Sequence, residues 1–278
     1  MTDFSQFLIL TDLDGTFFGR HGSVPPRNRA AVEHFCACGG LFTFATGRLH
    51  FNIRKILPDP EGVVNAPAVM SNGAYLYDFS HRSVLFEDLI PAELAVEMLD
   101  FVGRELPDAQ FRVSAREELR TTSDRGFLRQ DIAACDQGSV YIGPIQTWAV
   151  DDWLKIVFRG EEGELRCVRE KLDARFTGRL QVTSSGKEII EVLPSHVSKA
   201  SGLSALRRLL GDTAPARRVI ALGDFENDLS MLRAADIAIA PANAIPAVKE
   251  IADAVVCDCG EGVIGDVVDL LAAGKWGV

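Results

Sequence analysis

No block of lysine and arginine occurs anywhere in the 278-residue chain, whose formal net charge is −10. An acidic chain without a basic patch is a poor partner for nucleic acid or an anionic membrane surface, and both function classes are set aside. A small anionic ligand is still compatible with this balance where local lysines, amides or a metal receive it. Long hydrophobic runs are missing too. The run "FLIL" is too short for a signal-peptide core or a membrane span, and the opening Met-Thr-Asp has no basic flank, so the expectation is a cytoplasmic protein. Cysteine is sparse. The six residues, including the pairs Cys36/Cys38 and Cys257/Cys259, form neither a dense disulfide framework nor a Cys-x-x-Cys zinc spacing. Buried free thiols are the expectation, with a zinc site as the alternative. Internal repeats, low-complexity segments and long flexible linkers are absent as well.

What is present is enough apolar material, 47% of residues, to bury a sizeable core in one large or two modest domains. Five short apolar runs each end in a polar or glycine-containing turn: "FLIL" before "TDLDG", "LFTFA" before "TGR", "PAVM" before "SNGA", "RVIAL" before "GDFEND" and "IAIA" before "PANA". Runs without alternation suit strands buried on both faces of a parallel sheet. Helical patterns lie between them. "PPRNRAAVEHFCACGG" opens on prolines and closes on glycines, and "SKASGLSALRRLLG" has a serine at the expected N-cap and a closing glycine. The alternation predicts an α/β fold, a Rossmann-like doubly wound parallel sheet, with ligands received at the carboxyl ends of its strands.

The middle of the chain differs. From about 79 to 191 it reads as helix, strand, polar stretch, two strands, helix and two further strands, with polar Lys155 interrupting "WLKIVF". Leu165, Val168, Leu172 and Phe176 share one helix stripe. The expected organisation is a core in two parts, 1–78 and 192–278, interrupted by an α+β domain at 79–191.

The chemistry gathers at the strand ends. Asp12 and Asp14 share a side if the chain stays extended, and Gly15 then lets it turn. Asp224 and Asp228 follow another strand, with Asn227 between them. Two negative charges about 4 Å apart near a protein surface repel by roughly 4 kcal/mol, so several carboxylates at one edge call for a cation. Oxygen ligands without His or Cys favour a hard ion, magnesium being the usual one beside phosphate. Thr46 and the Gly47 amide can receive an anion at a strand-helix junction. Lys199, in the first turn of its helix, makes sense there if a bound anion faces it. Each piece alone reads as solvated surface or an ordinary turn. Four of them in order, each ending an apolar strand, point to a site.

In that order the segments resemble the haloacid dehalogenase superfamily, and within it the Cof-type phosphatases. "DLDGT" is similar to the first family motif, "ATGR" to the second, "VSKASGL" to the third and "GDFENDLSML" to the fourth, and the inserted region resembles the family's large α/β cap. The resemblance implies a magnesium-dependent hydrolase that removes phosphate from small phosphomonoesters, such as sugar phosphates or pyridoxal phosphate. It implies that Asp12 forms an aspartyl-phosphate and that Asp14 acts as acid and then base. Thr46, Gly47, Lys199 and Asn227 would hold the phosphoryl group. The Asp12 and Asp224 side chains and the Asp14 carbonyl would bind the metal, supported by Asp228. Arg48 and Asn72 match positions near the cavity and are candidates for substrate binding. The partner implied is a small phosphorylated metabolite, with no nucleic acid and no membrane. Phe225 and Glu226, and the pair Ser195-His196, depart from the motifs where small residues and a glycine turn are common. The competing readings are a phosphosugar mutase with the same intermediate, and a non-enzymatic phosphoacceptor switch.

Overall fold

The structure is a computed structural model that describes residues 2–19, 22–135, 138–211 and 217–277. The chain begins with β1 (Phe7–Thr11), α1 (Pro26–Ala37), β2 (Leu41–Phe44), α2 (His50–Ile56), β3 (Ala68–Met70), β4 (Tyr75–Asp78) and β5 (Ser83–Glu87). It continues through α3 (Ala92–Glu105), β6 (Gln110–Ala115), β7 (Leu119–Thr121), α4 (Leu128–Ala133), β8 (Val140–Ile142), β9 (Trp153–Arg159), α5 (Glu162–Phe176), β10 (Leu180–Gly186) and β11 (Ile189–Pro194). It returns as α6 (Lys199–Gly211), β12 (Arg218–Leu222), α7 (Leu229–Ala234), β13 (Ile237–Pro241), α8 (Pro246–Ile251), β14 (Ala254–Val256) and α9 (Val263–Ala272). Two compact units result: residues 1–47, 56–86 and 198–278 form the first, and 48–55 with 87–197 the second. Against the expected 79–191, the second unit begins later, at 87, ends later, at 197, and also takes in Arg48–Lys55.

In the first unit, five parallel strands run in the order β14-β13-β12-β1-β2. Every residue of β1 is buried, because it is paired on both edges and covered on both faces, which is why its sequence is apolar without alternation. Leu8 and Leu10 join Val219 and Ala221 in a core with Leu203 and Leu206 of α6, Met231 and Leu232 of α7, and Val248 of α8. The helices α1 and α9 pack against each other instead. The chain moves from β1 to β2 on one side, and on the other side of β1 it re-enters at β12 and moves away to β13 and β14, so the order reverses beside β1, where such sheets receive ligands.

Local signals set the helix starts. Pro26 occupies the first turn of α1, where its missing N–H costs nothing. At α6 the Ser198 amide donates to Ser201 Oγ at 2.9 Å and the Ser201 amide to Ser198 Oγ at 3.2 Å, a reciprocal cap. One expected parallel strand behaves differently. β3 pairs antiparallel with β4 in a separate three-stranded sheet, and is joined to the parallel sheet by the isolated Ala45–Val69 bridge. Its three residues are followed at once by the Ser71–Gly73 turn, which sends the chain back on itself.

The second unit is α+β. Its sheet runs β10-β11-β9-β6-β7-β8, with one parallel pair, β7 and β8. One face packs on α3 and α5 through Phe111, Ile156, Phe158, Ile190 and Val192, and Trp148 and Trp153 belong to this core. Several alternate positions are polar, beside the apolar Val157 and Leu193. Lys155 donates to Glu191 with both side chains almost fully buried. Arg112 donates to Asp131 at 2.7 Å and to Ser114 at 2.8 Å. Lys55 Nζ donates to the carbonyls of Ala133 (2.6 Å) and Cys135 (2.9 Å) at the end of α4, where a cation suits the helix dipole. Where the insertion begins and ends, His196 Nε2 and Asp88 Oδ2 stand 2.9 Å apart. The unusual third-motif histidine thus has a partner at the other end of the insertion.

All six cysteines are free, but only Cys135 and Cys259 are buried. The expectation of buried thiols therefore holds for two of them. Among the described residues no helix is long and apolar enough to cross a membrane.

Candidate active site

β1 ends at Thr11, and the Asp12 amide extends its ladder by donating to the Leu222 carbonyl at 2.9 Å. The chain then turns. Phe17 donates to the Asp12 carbonyl and Phe18 to that of Leu13, so Asp14 lies in a tight turn and not in a continuing strand. The extended geometry expected from the sequence is lost one residue early, because Gly15 takes φ +78°. As a result Asp12 is buried and Asp14 is exposed.

Lys199, the first residue of α6 and fully buried, lies between two acids. Its Nζ donates to Asp12 Oδ1 at 2.5 Å and to Asp228 Oδ1 at 2.6 Å. The second Asp228 oxygen accepts from the amides of Asp224 (2.9 Å) and Phe225 (3.1 Å), which folds the "GDFEND" loop around that side chain. Gly223 is required there, since a Cβ on it would come within 2.4 Å of Asp228 Cβ. Thr16 Oγ1 donates to Asp224 Oδ1 at 3.0 Å.

The electrostatics are lopsided. Burial drives the Asp12 carboxyl well above the ordinary carboxylate range against the pull of Lys199, and Asp228, Asp224 and Asp14 push the same way. Burial, then the charge of Asp228, raises Asp224 to about 7. Burial opposes the charge of Lys199, yet Asp12 and Asp228 hold the ammonium on, above its ordinary value. One buried cation thus faces several carboxylates, an excess that a second cation relieves. One oxygen each from Asp12, Asp224 and Asp228 lies within 4.8 Å of the others, the one cluster of metal-ligand geometry among the described residues. An all-oxygen set fits a hard divalent cation, and includes neither thiol nor imidazole for zinc.

The second-motif turn reaches the same place. The Thr46 amide donates to the Val69 carbonyl, and the Thr46 carbonyl accepts from the Asn72 amide, both at 2.9 Å. Thr46 is 1% exposed. Asn72 and its neighbour Ser71 sit at φ 57° and 49°, the left-handed region that non-glycine residues avoid and that is enriched at functional sites. Asn227 Nδ2 donates to Asn72 Oδ1 at 3.1 Å, and Asn227 Oδ1 is a buried acceptor with no hydrogen-bond donor among the described residues. Asn72 thereby links the second and fourth motif loops. Asp12, Asp14, Thr46, Gly47, Asn72, Lys199, Asp224, Asn227 and Asp228 all belong to the first unit, whereas Arg48 belongs to the second. Sequence reasoning missed Thr16, Ser71 and Asn243. Thr16 could have been found as the hydroxyl closing "DLDGT", but nothing in "PANA" marks its asparagine.

The sequence pattern of the haloacid dehalogenase-like hydrolases matches residues 9–267. The chain is 26% identical over 291 residues to the 5-amino-6-(5-phospho-D-ribitylamino)uracil phosphatase of Bacillus subtilis (strain 168), spanning 96% of this chain and 99% of that protein. It is 27% identical over 251 residues to the HMP-PP phosphatase of Serratia proteamaculans (strain 568), spanning 86% and 85% of the two. In fold it resembles a solved haloacid dehalogenase-like hydrolase from Bacteroides thetaiotaomicron, with TM-score 0.81, 23% identity, and 95% and 98% of the two chains covered. With the pattern running from β1 into α9 and taking in every motif residue, the chain belongs to the haloacid dehalogenase-like hydrolases, among their Cof-type phosphatases.

Proposed function

We propose that the protein is a magnesium-dependent hydrolase of small phosphomonoesters, sugar phosphates or pyridoxal phosphate-like compounds, acting in the cytoplasm through an aspartyl-phosphate on Asp12. The observation that carries this reading is the buried Asp12–Lys199–Asp228 bridge beside Asp224, an arrangement that leaves a hard cation and an anion to be supplied from outside. The substrate named for the Bacillus subtilis relative, an aminouracil bearing a phosphorylated ribityl chain, supports a small phosphomonoester as the class.

In this reading an Asp12 oxygen attacks phosphorus while the ester oxygen departs with a proton from Asp14, whose exposed position suits exchange with ligand and solvent. Water then attacks the aspartyl-phosphate and gives its proton to Asp14, releasing phosphate and regenerating both carboxyl groups. Lys199 fixes the Asp12 side chain and, with Thr46, the Gly47 amide and Asn227, offsets the charge that builds on the phosphoryl oxygens. Asp12, Asp224 and the Asp14 carbonyl would hold the cation, with Asp228 as support, and the cation would neutralise phosphoryl charge when bound. The inserted domain, 79–191 by sequence, serves as the cap that excludes water and carries specificity, with Arg48 and Asn72 as candidate substrate contacts.

The test is phosphate release from sugar phosphates, nucleotides, pyridoxal phosphate and a generic aryl phosphate, with magnesium and with chelator, beside Asp12→Asn. Magnesium-dependent release that the substitution abolishes supports the reading. Transfer between sugar positions without free phosphate would replace it by a mutase.

A further inference from the structure

We infer that Asn243 is a positioning residue for the cation site, holding the Asp12–Thr16 turn from the opposite side of the loop cluster; the inference rests on the hydrolase reading above. Asn243 lies in the turn after β13. Its Nδ2 donates to the Gly15 carbonyl at 2.7 Å, and its Oδ1 accepts from the Cys259 amide at 2.9 Å. Nearby, the Ile245 amide donates to the Asp224 carbonyl at 3.0 Å and the Ala242 amide to the Cys257 carbonyl at 3.1 Å. One short turn therefore grips a carbonyl in the first motif and a carbonyl in the fourth, and is itself fastened to the loop after β14.

The grip matters because of what Gly15 is. A glycine has no side chain to confine its torsions, and this one sits at φ +78° directly between the Asp14 carbonyl and the Thr16 hydroxyl that bonds Asp224. Fixing the Gly15 carbonyl fixes the peptide plane that follows it. With the Thr16–Asp224 bond next along the chain, and the Asp12 and Leu13 carbonyls held by the Phe17 and Phe18 amides before it, the Asp14 carbonyl is bracketed by anchored groups on both sides. Among side chains of this length only an asparagine amide offers a donor at one end and an acceptor at the other. Aspartate keeps the shape but sets an oxygen against the Gly15 carbonyl.

The experiment compares wild type, Asn243→Asp and Asn243→Ala as full chains stripped with chelator, titrating Mn2+ calorimetrically and measuring aryl phosphate hydrolysis at saturating cation. Loss of a direct outer partner of a metal ligand typically weakens binding about 10- to 100-fold; Asn243 acts one peptide further out, and a loss of about 10-fold is expected in both variants. The aspartate adds negative charge, which by itself tightens cation binding, so weaker binding in Asn243→Asp isolates the positioning effect. Cation-free melting temperatures are expected within about 3 °C of wild type. Unchanged Mn2+ affinity beside an active wild type overturns this role alone, as does a loss that merely follows a drop in folded fraction. A wild type that neither binds the ion nor releases phosphate overturns the hydrolase reading, and this role with it.

Discussion

Gly15→Ala puts the site geometry under direct strain. The residue sits at φ +78°, where an L side chain costs about 1–2 kcal/mol. A Cβ built there would come 2.5 Å from Asp224 Oδ2 and 3.0 Å from its Cγ. Ordinary contact begins at 3.4 Å, so the carboxylate or the turn must yield by about 0.9 Å. A displacement of about 1 Å at a reacting centre costs on the order of 100-fold in rate. Gly178→Ala supplies the control, since Gly178 has φ +77° and nothing within 4 Å of its Cβ position. Gly178→Ala is expected to lose about 1–2 kcal/mol in urea unfolding, the left-handed cost alone, and Gly15→Ala at least as much. Only Gly15→Ala is expected to lose phosphatase activity and Mn2+ affinity. Wild-type turnover and cation affinity in Gly15→Ala would refute the assignment of Asp224 to the cation site.

Three further outcomes can be checked independently. Lys199→Met leaves Asp12 and Asp228 buried without their ammonium and is expected to cost about 3–5 kcal/mol in urea unfolding and to remove activity. In the second unit Lys155→Met alone strands a buried carboxylate at similar cost, whereas Lys155→Met with Glu191→Leu is expected to unfold near wild type in the same assay. Burial, then the charge of Arg54, lowers His50 from its ordinary 6.5 to about 4, so the folded chain binds that proton less well than the unfolded one. This contribution to stability is therefore intact above about pH 6.5 and is lost as pH falls toward 4, by up to about 3 kcal/mol. A melting-temperature profile of His50→Gln should be flatter than wild type across that window, and an unchanged slope would contradict it.

The parallel core was legible because burial on both faces leaves its mark in adjacent residues: "FLIL", "RVIAL" and "IAIA" became β1, β12 and β13. Helix starts were legible for the same local reason, in Pro26 and Ser198. "PAVM" gave a strand but not its partner, since three apolar residues carry no pairing information and the turn after Met70 decides it. The motif acids could be named, but the Asp12–Lys199 contact joins residues 187 apart and the Asn243–Gly15 contact residues 228 apart, so neither has a local signature. Nor does the sequence mark which large side chains of the insertion are structural: Trp148 and Trp153 pack in its core, and Arg120 is held by Asp152 at 2.5 Å and the Ala149 carbonyl at 2.7 Å.

The Asp88–His196 contact bears on how such a chain tolerates change in length. Its partners lie 108 positions apart in sequence and 2.9 Å apart in space, so the insertion leaves and returns at neighbouring points. Closing a loop whose ends already meet costs little more when it is lengthened, with each doubling adding only about 0.6 kcal/mol. Length added in the insertion's exposed turns therefore leaves its two ends where they meet. Its excision as a cassette is another matter, because residues 48–55 belong to the same unit and Lys55 is bonded to the end of α4.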